Sequence, residues 1–116
     1  MSIVNTSLEG FDTDVIAASA ERPILVDFWA EWCSPCLVVA PVLERVIADL
    51  RGRIALAKLE VDEGDNMKLA GHYRVRGFPT VMLFHRGEEL ARFSGAHSRS
   101  QVMEFLASHL GPEVLC

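Results

Sequence analysis

Hydrophobic positions along the chain fall into strand-length runs that alternate with helix-spaced stripes. A short apolar start at residues 2–4 is followed by Asp12, Thr13 and Asp14, which suit a helix N-terminus, and then by Val15, Ile16 and Ala18. Arg22-Pro23 breaks that helix. Residues 24–29, Ile-Leu-Val-Asp-Phe-Trp, form a nearly unbroken apolar run, as expected of a central strand covered on both faces. One acidic residue, Asp27, lies inside it.

From residue 33 to residue 50 the spacing predicts a long helix. It is apolar all round at first and amphipathic later, with Glu44, Arg45 and Asp49 facing away from Leu43, Ile47 and Leu50. Pro41 falls inside it, removes an N–H and crowds the carbonyl of Leu37, so a kink is expected. Gly52 is the expected stop. Residues 54–61 read as a second buried strand and residues 65–73 as a short helix or turn. Residues 80–84 and 89–93 read as an antiparallel hairpin around a turn containing Gly87. Ser98 and Gln101 make a capping box, and the helix they open places Val102, Phe105 and Leu106 on one face before Gly111-Pro112 ends it.

This order of elements predicts a three-layer α/β sandwich with a mixed central sheet and helices on both faces. In such sheets chemistry collects at the carboxyl ends of the parallel strands. Trp32-Cys33-Ser34-Pro35-Cys36 falls there, just after the first buried strand.

Composition narrows the function classes. The 116 residues fit one domain, and 16 acidic against 11 basic residues leave a net charge of −5. Nucleic-acid affinity rests on Lys and Arg, so a phosphate-binding surface is not expected. The apolar runs are far shorter than the ~20 residues of a membrane-spanning helix, and no basic cluster precedes an apolar stretch as in a signal peptide, so a cytoplasmic address is expected. Three cysteines, Cys33, Cys36 and Cys116, do not make a closed disulfide framework.

Cys33 and Cys36 are the candidate chemistry. Residues three apart on a helix have Cα atoms ~5 Å apart, within disulfide range, and so small a ring removes little loop entropy. The bond is placed for switching rather than for stapling. Free backbone N–H groups and the helix dipole favour a thiolate at Cys33, and Cys36, one turn further in, is expected to be more buried. Cys33 is then the group that attacks an external disulfide and Cys36 the group that resolves the mixed disulfide. Pro35 fits the first turn, where a missing N–H costs little. Two other readings are a half zinc site and a pair of inert core cysteines. Zinc needs four ligands, and His72, His85, His97 and His109 are scattered without ligand spacing.

The sequence strongly resembles the thioredoxin family from about Ser2 to Leu110. The stretches that carry the likeness are Phe11 to Val15, Ile24 to Cys36, Ala40-Pro41, Ala57-Lys58-Leu59, Arg76-Gly77-Phe78-Pro79-Thr80 and Gly95-Ala96, in order. The resemblance implies a thioredoxin fold over residues 1–110, with a five-stranded mixed sheet flanked by four helices, and a short tail at 111–116. It implies a protein-disulfide reductase in general redox homeostasis, recycled by an NADPH-dependent flavin reductase, monomeric, with no cofactor or metal bound to this chain.

The resemblance also implies residue roles. Asp27, whose ionised form burial should disfavour, would move protons to and from Cys36; the alternative is a structural Asp paired with Lys58, and the two coexist readily. Pro79 would follow a cis bond, face the cysteines and offer backbone groups to an extended substrate segment. Trp32, Gly77, Phe78, Gly95 and Ala96 would form a shallow apolar surface around Cys33. Trp29 reads mainly as core.

Three positions depart from the usual pattern. Ser34 stands where Gly is commonest, and its hydroxyl is placed to favour the reduced state slightly. Leu37 stands where many relatives have Lys, which removes a cation from the rim. Cys116 is expected to be a free thiol on a mobile terminus, with a regulatory or dimer-forming disulfide as the alternative. On the same scaffold the rival functions are a disulfide oxidase or isomerase, whose relatives often place His between the cysteines, and a non-catalytic binding module or redox sensor.

Overall fold

A computed structural model describes residues 2–115. Its strands are β1 (Ile3–Asn5), β2 (Ile24–Trp29), β3 (Ala55–Glu60), β4 (Thr80–His85) and β5 (Glu88–Ser94). They form one sheet in the order β1-β3-β2-β4-β5. β1, β3 and β2 run parallel, and β4 and β5 are antiparallel, so the sheet is mixed. The helices are α1 (Ser34–Asp49), α2 (Met67–His72) and α3 (Arg99–Leu110), preceded by a helical segment made of a wide π-type stretch (Asp12–Ala17) and a 3-10 turn (Ala18–Ala20). This is the expected three-layer sandwich, with four helical segments flanking the sheet among the described residues.

β2 occupies the span its apolar run predicts, and Ile24 to Phe28 are all buried. Alternate residues divide between two cores. Ile24, Val26 and Phe28 pack with Phe11, Val15 and Leu69 on one face of the sheet, and Leu25 packs with Leu43, Ile47 and Leu106 on the other. Asp27 shares the second face with Leu25. α1 continues through Pro41 as one helix.

The first helical segment departs from the regular helix expected there. Phe11 caps it without a side-chain hydrogen bond, and the carbonyl of Gly10 accepts from both Thr13 and Asp14. Ser19 then ties it to the hairpin: its hydroxyl donates to the carbonyl of Ile16 and accepts from the N–H of Gly87 at 2.8 Å, while its carbonyl accepts from the N–H of Arg86. Local hydroxyl bonding of this kind competes with regular helical pairing. Arg86 and Gly87 both have positive φ, as a tight two-residue hairpin turn requires.

The capping box at Ser98 is fully formed, with the Ser98 hydroxyl accepting from the N–H of Gln101 and the Gln101 amide oxygen accepting from the N–H of Ser98. After Gly111 the chain makes a closing 3-10 turn (Pro112–Leu115), and Val114 packs against the α1/α3 core. Cys116 lies outside the described residues. No helix of the described residues is long and apolar enough to cross a membrane.

Candidate redox site

β2 delivers the chain to the site, and residues 30–33 turn it into α1. Cys33 is the N-cap of that helix rather than its first residue. Its backbone is extended, its carbonyl accepts from the N–H groups of Cys36 and Leu37, and its Sγ accepts from the N–H of Cys36 at 3.2 Å. Ser34 and Pro35 fill the first two helical positions, both exposed. Pro35 has no N–H to leave unsatisfied there.

Cys33 and Cys36 are joined by a disulfide, with Cα atoms 5.3 Å apart. The sulfur pair is therefore brought together as the spacing predicts. Cys36 is the more buried at 1% exposure, and Cys33 retains 5%. The order is the expected one, but the difference is small, and in the oxidised state little of the outer cysteine reaches solvent. No group of three or more metal-ligating side chains occurs among the described residues.

Trp32 is 65% exposed, and its indole N–H donates to Asp62. Its ring meets the edge of Phe78 at 5.8 Å between centroids. The Phe78–Pro79 bond is cis. The loop it belongs to is tied to the far side of the surface by the N–H of Gly95, which donates to the carbonyl of Pro79 at 2.9 Å, and is closed within itself by the Thr80 hydroxyl, which donates to the carbonyl of Gly77 at 2.6 Å. Gly77 and Gly95 both face open space where a side chain would stand, and Gly95 has a φ of +84°. Ala96 beside it is exposed. Leu37 and Val38, on the first turns of α1, leave 55% and 61% of their surface exposed, so the apolar rim extends further along the helix than Trp32 and Phe78 alone.

Asp27 is 1% exposed, and neither of its carboxyl oxygens has a hydrogen-bond partner among the described residues. Burial pushes its carboxyl up from 3.8 to about 7; the Lys58 charge opposes that rise and the Glu44 charge adds to it. Lys58 lies directly across the β2–β3 register from Asp27. Its ammonium, however, ion-pairs with Glu44 at 3.2 Å and sits over the Trp29 ring at 5.6 Å. The partnership of Lys58 with Asp27 therefore acts through register and charge, without the direct ion pair that a structural Asp–Lys pairing implies. Trp29 is partly buried against the core, and its indole N–H has no hydrogen-bond partner among the described residues.

Two participants were not visible in the sequence. Asp62 orients the Trp32 ring, and Glu44 takes up the Lys58 ammonium. An acidic residue on the polar face of an amphipathic helix reads as solvated, and nothing in the linear pattern distinguishes Glu44 from Arg45 or Asp49.

Comparison with known proteins agrees with the geometry. The Thioredoxin family model matches residues 2–108. The thioredoxin of Pseudomonas aeruginosa is 44% identical over 108 residues, which is 93% of this chain and 96% of that protein. The thioredoxin of Acidithiobacillus ferridurans is 42% identical over 109 residues, 94% of this chain and 97% of that protein. A bifunctional thioredoxin reductase/thioredoxin of Mycobacterium leprae is 40% identical over 97 residues, 84% of this chain and 20% of that longer protein.

Proposed function

The chain belongs to the thioredoxin family and is a protein-disulfide oxidoreductase working through the Cys33–Cys36 pair, and on that footing we propose how its residues divide the work. In the reduced protein the Cys33 thiolate attacks one sulfur of a substrate disulfide. The substrate S–S bond breaks, a Cys33–substrate disulfide forms, and the first substrate sulfur leaves as a thiolate and takes up a proton. Cys36 gives its proton to the Asp27 carboxylate and attacks Cys33 Sγ. The mixed disulfide breaks, the Cys33–Cys36 disulfide closes, and the second substrate sulfur leaves as a thiolate that takes the proton held by Asp27. Two electrons and the Cys36 proton have then passed from this chain to the substrate, and the proton on the first substrate sulfur comes from solvent.

The observation that carries this reading is the Cys36 N–H pointed at Cys33 Sγ at the N-cap of α1. A donor that is weak toward a disulfide sulfur becomes a charge-assisted hydrogen bond toward a thiolate. The helix end thus supports the form of Cys33 that attacks.

Substrates dock on the surface made by Trp32, Gly77, Phe78, Gly95 and Ala96, with the Pro79 loop laid alongside the extended segment that carries the disulfide. The shallow, mostly apolar relief suits many protein partners. Asp27 serves as the proton store for Cys36, and Lys58 tunes it. A reductase returns two electrons and one proton to the pair, restoring the Cys33 thiolate and the Cys36 thiol; the fused reductase of the Mycobacterium leprae relative supports such a partner, and we assign NADPH as its electron source. The protein acts as a monomer in the cytoplasm, where a reducing pool keeps dithiols reduced. Ser34-Pro35 between the cysteines supplies no imidazolium, which favours reduction over the oxidase or isomerase reading.

The test is insulin disulfide reduction driven by NADPH and a thioredoxin reductase, with Cys33→Ser as control. Turnover that depends on Cys33 supports the reductase. No turnover with several reductases moves the chain to the binding-module reading.

A further inference from the structure

The two charges bearing on Asp27 come from different elements, Lys58 from β3 and Glu44 from α1, and their arrangement is not the simplest one. A buried carboxyl with a lysine opposite it in the strand register is expected to take that lysine as counter-ion. Here the ammonium turns outward instead. It reaches Glu44 at 3.2 Å and lies over the Trp29 ring, while both Asp27 oxygens stay without a hydrogen-bond partner among the described residues. Lys58 keeps 21% of its side chain exposed and Glu44 keeps 46%, so the pair sits at the protein boundary with Asp27 beneath it. β4 places Val81 opposite Asp27, and the core on the Leu25 face of the sheet also holds Val102 and Leu106 of α3.

An exposed ion pair adds little to stability on its own. Its consequence here is for the group it leaves alone. We propose that Glu44 is a positioning residue for Asp27: by ion-pairing the Lys58 ammonium it denies the buried carboxyl a direct counter-ion and so strengthens that carboxyl as a base for Cys36. This rests on the reading that Asp27 handles the Cys36 proton. Glu44 touches neither the sulfurs nor a substrate. It acts through Lys58, whose long side chain can reach inward or outward from one strand position. When Glu44 is lost, the ammonium swings toward Asp27, the ionised carboxyl gains a partner, and its hunger for a proton falls.

The experiment is a carboxyl-carbon NMR titration of Asp27 in the oxidised protein, where neither active-site cysteine titrates. It is run on the wild type, Glu44→Gln, Glu44→Asp, Lys58→Met and the double variant Glu44→Gln/Lys58→Met. Glu44→Gln is expected to lower the Asp27 midpoint by about one pH unit, as an opposite charge arriving within ~6 Å does. Glu44→Asp, which keeps the charge, restores most of the wild-type value. In the Lys58→Met background the same Glu44→Gln change moves the midpoint far less. An unmoved midpoint in Glu44→Gln overturns the proposal, and so does an equal shift with and without Lys58, which would make Glu44 a distant charge and nothing more.

The pH profile of insulin reduction separates this from the catalytic reading. If the rate profile follows the Asp27 midpoint in Glu44→Gln, both stand. If the midpoint moves and the rate profile does not, the hold of Glu44 on Lys58 is upheld and the base role of Asp27 falls.

Discussion

The backbone N–H of Cys36 donates to Cys33 Sγ across 3.2 Å, so Cys36 holds Cys33 by its main chain as well as by the disulfide. One turn of helix thereby joins the two sulfurs and supplies the donor that favours negative charge on the outer one. The two cysteines are therefore unequal before any substrate arrives.

That inequality predicts different failures for the two serine variants. Cys33→Ser is expected to lose insulin reduction to the background rate. Cys36→Ser is expected to make one attack and stop, leaving a covalent complex with substrate that survives denaturing electrophoresis without reductant and disappears when reductant is added. Intact-mass measurement identifies the sulfur that carries it. A stable complex formed by Cys33→Ser through Cys36 would reverse the assignment.

Asp27 gives the oxidised protein a particular dependence of stability on pH. Its carboxyl titrates at about 7 in the folded chain against 3.8 in the ordinary state, so between those values the folded protein holds a proton that the unfolded chain has released. Stability therefore falls as pH rises from about 4 to 7, is flat below, and stays at its lower level above. In Asp27→Asn that slope is absent. Relative to wild type the variant should gain a few kcal/mol between pH 4 and pH 8, at about 1.4 kcal/mol for each tenfold change in proton affinity. Urea unfolding of both proteins across that range is the check, and parallel pH curves would contradict it.

Ser34 occupies the first helical position beside the sulfur pair. Replacing it with Gly removes a hydroxyl available to a thiolate and admits a more flexible backbone. The disulfide of Ser34→Gly is expected to become harder to reduce by about 10–30 mV, equivalent to roughly 0.5–1.4 kcal/mol. Equilibration of both proteins against glutathione measures it, and identical potentials would show that the serine is neutral.

Trp32 has most of its surface in solvent, an edge contact with Phe78 and a hydrogen bond to Asp62. Trp32→Ala should leave the unfolding midpoint nearly unchanged, because little of the ring is buried. It should lower kcat/KM for insulin by roughly tenfold, about the ~1.4 kcal/mol that one good aromatic contact supplies. Loss of stability with unchanged kcat/KM would place the ring in the fold rather than in the docking surface.

What the sequence revealed depended on how local the cause was. β2 was read residue for residue because six consecutive side chains, all but one apolar, admit little else. The capping box was legible because both partners lie within one turn. The residue pattern starts α1 one residue early because Cys33 contributes its carbonyl and sulfur to the helix while its own backbone remains extended. The irregular first helical segment was not legible, since Ser19 exerts its effect through Gly87, far along the chain.

The same distinction holds at the site. The disulfide follows from a spacing of three, and the buried Asp27 follows from an acidic residue in an apolar run. The pairing of Lys58 with Glu44 depends on the register of β3 and the rotation of α1, which residue patterns do not encode. The junction of Pro79 with Gly95 likewise arises from a hydrogen bond between loops that meet only when β4 and β5 pair.

The two rims of the sheet finish the molecule differently from its middle. β1 is three residues long, and β5 carries Glu88, Glu89 and Arg92 along a register broken between Leu83 and Phe84. A stub on one side and a charged, bulged strand on the other offer a poor template for a neighbouring chain to extend. Both margins of the sheet therefore work against the edge-to-edge pairing from which fibrillar stacking grows.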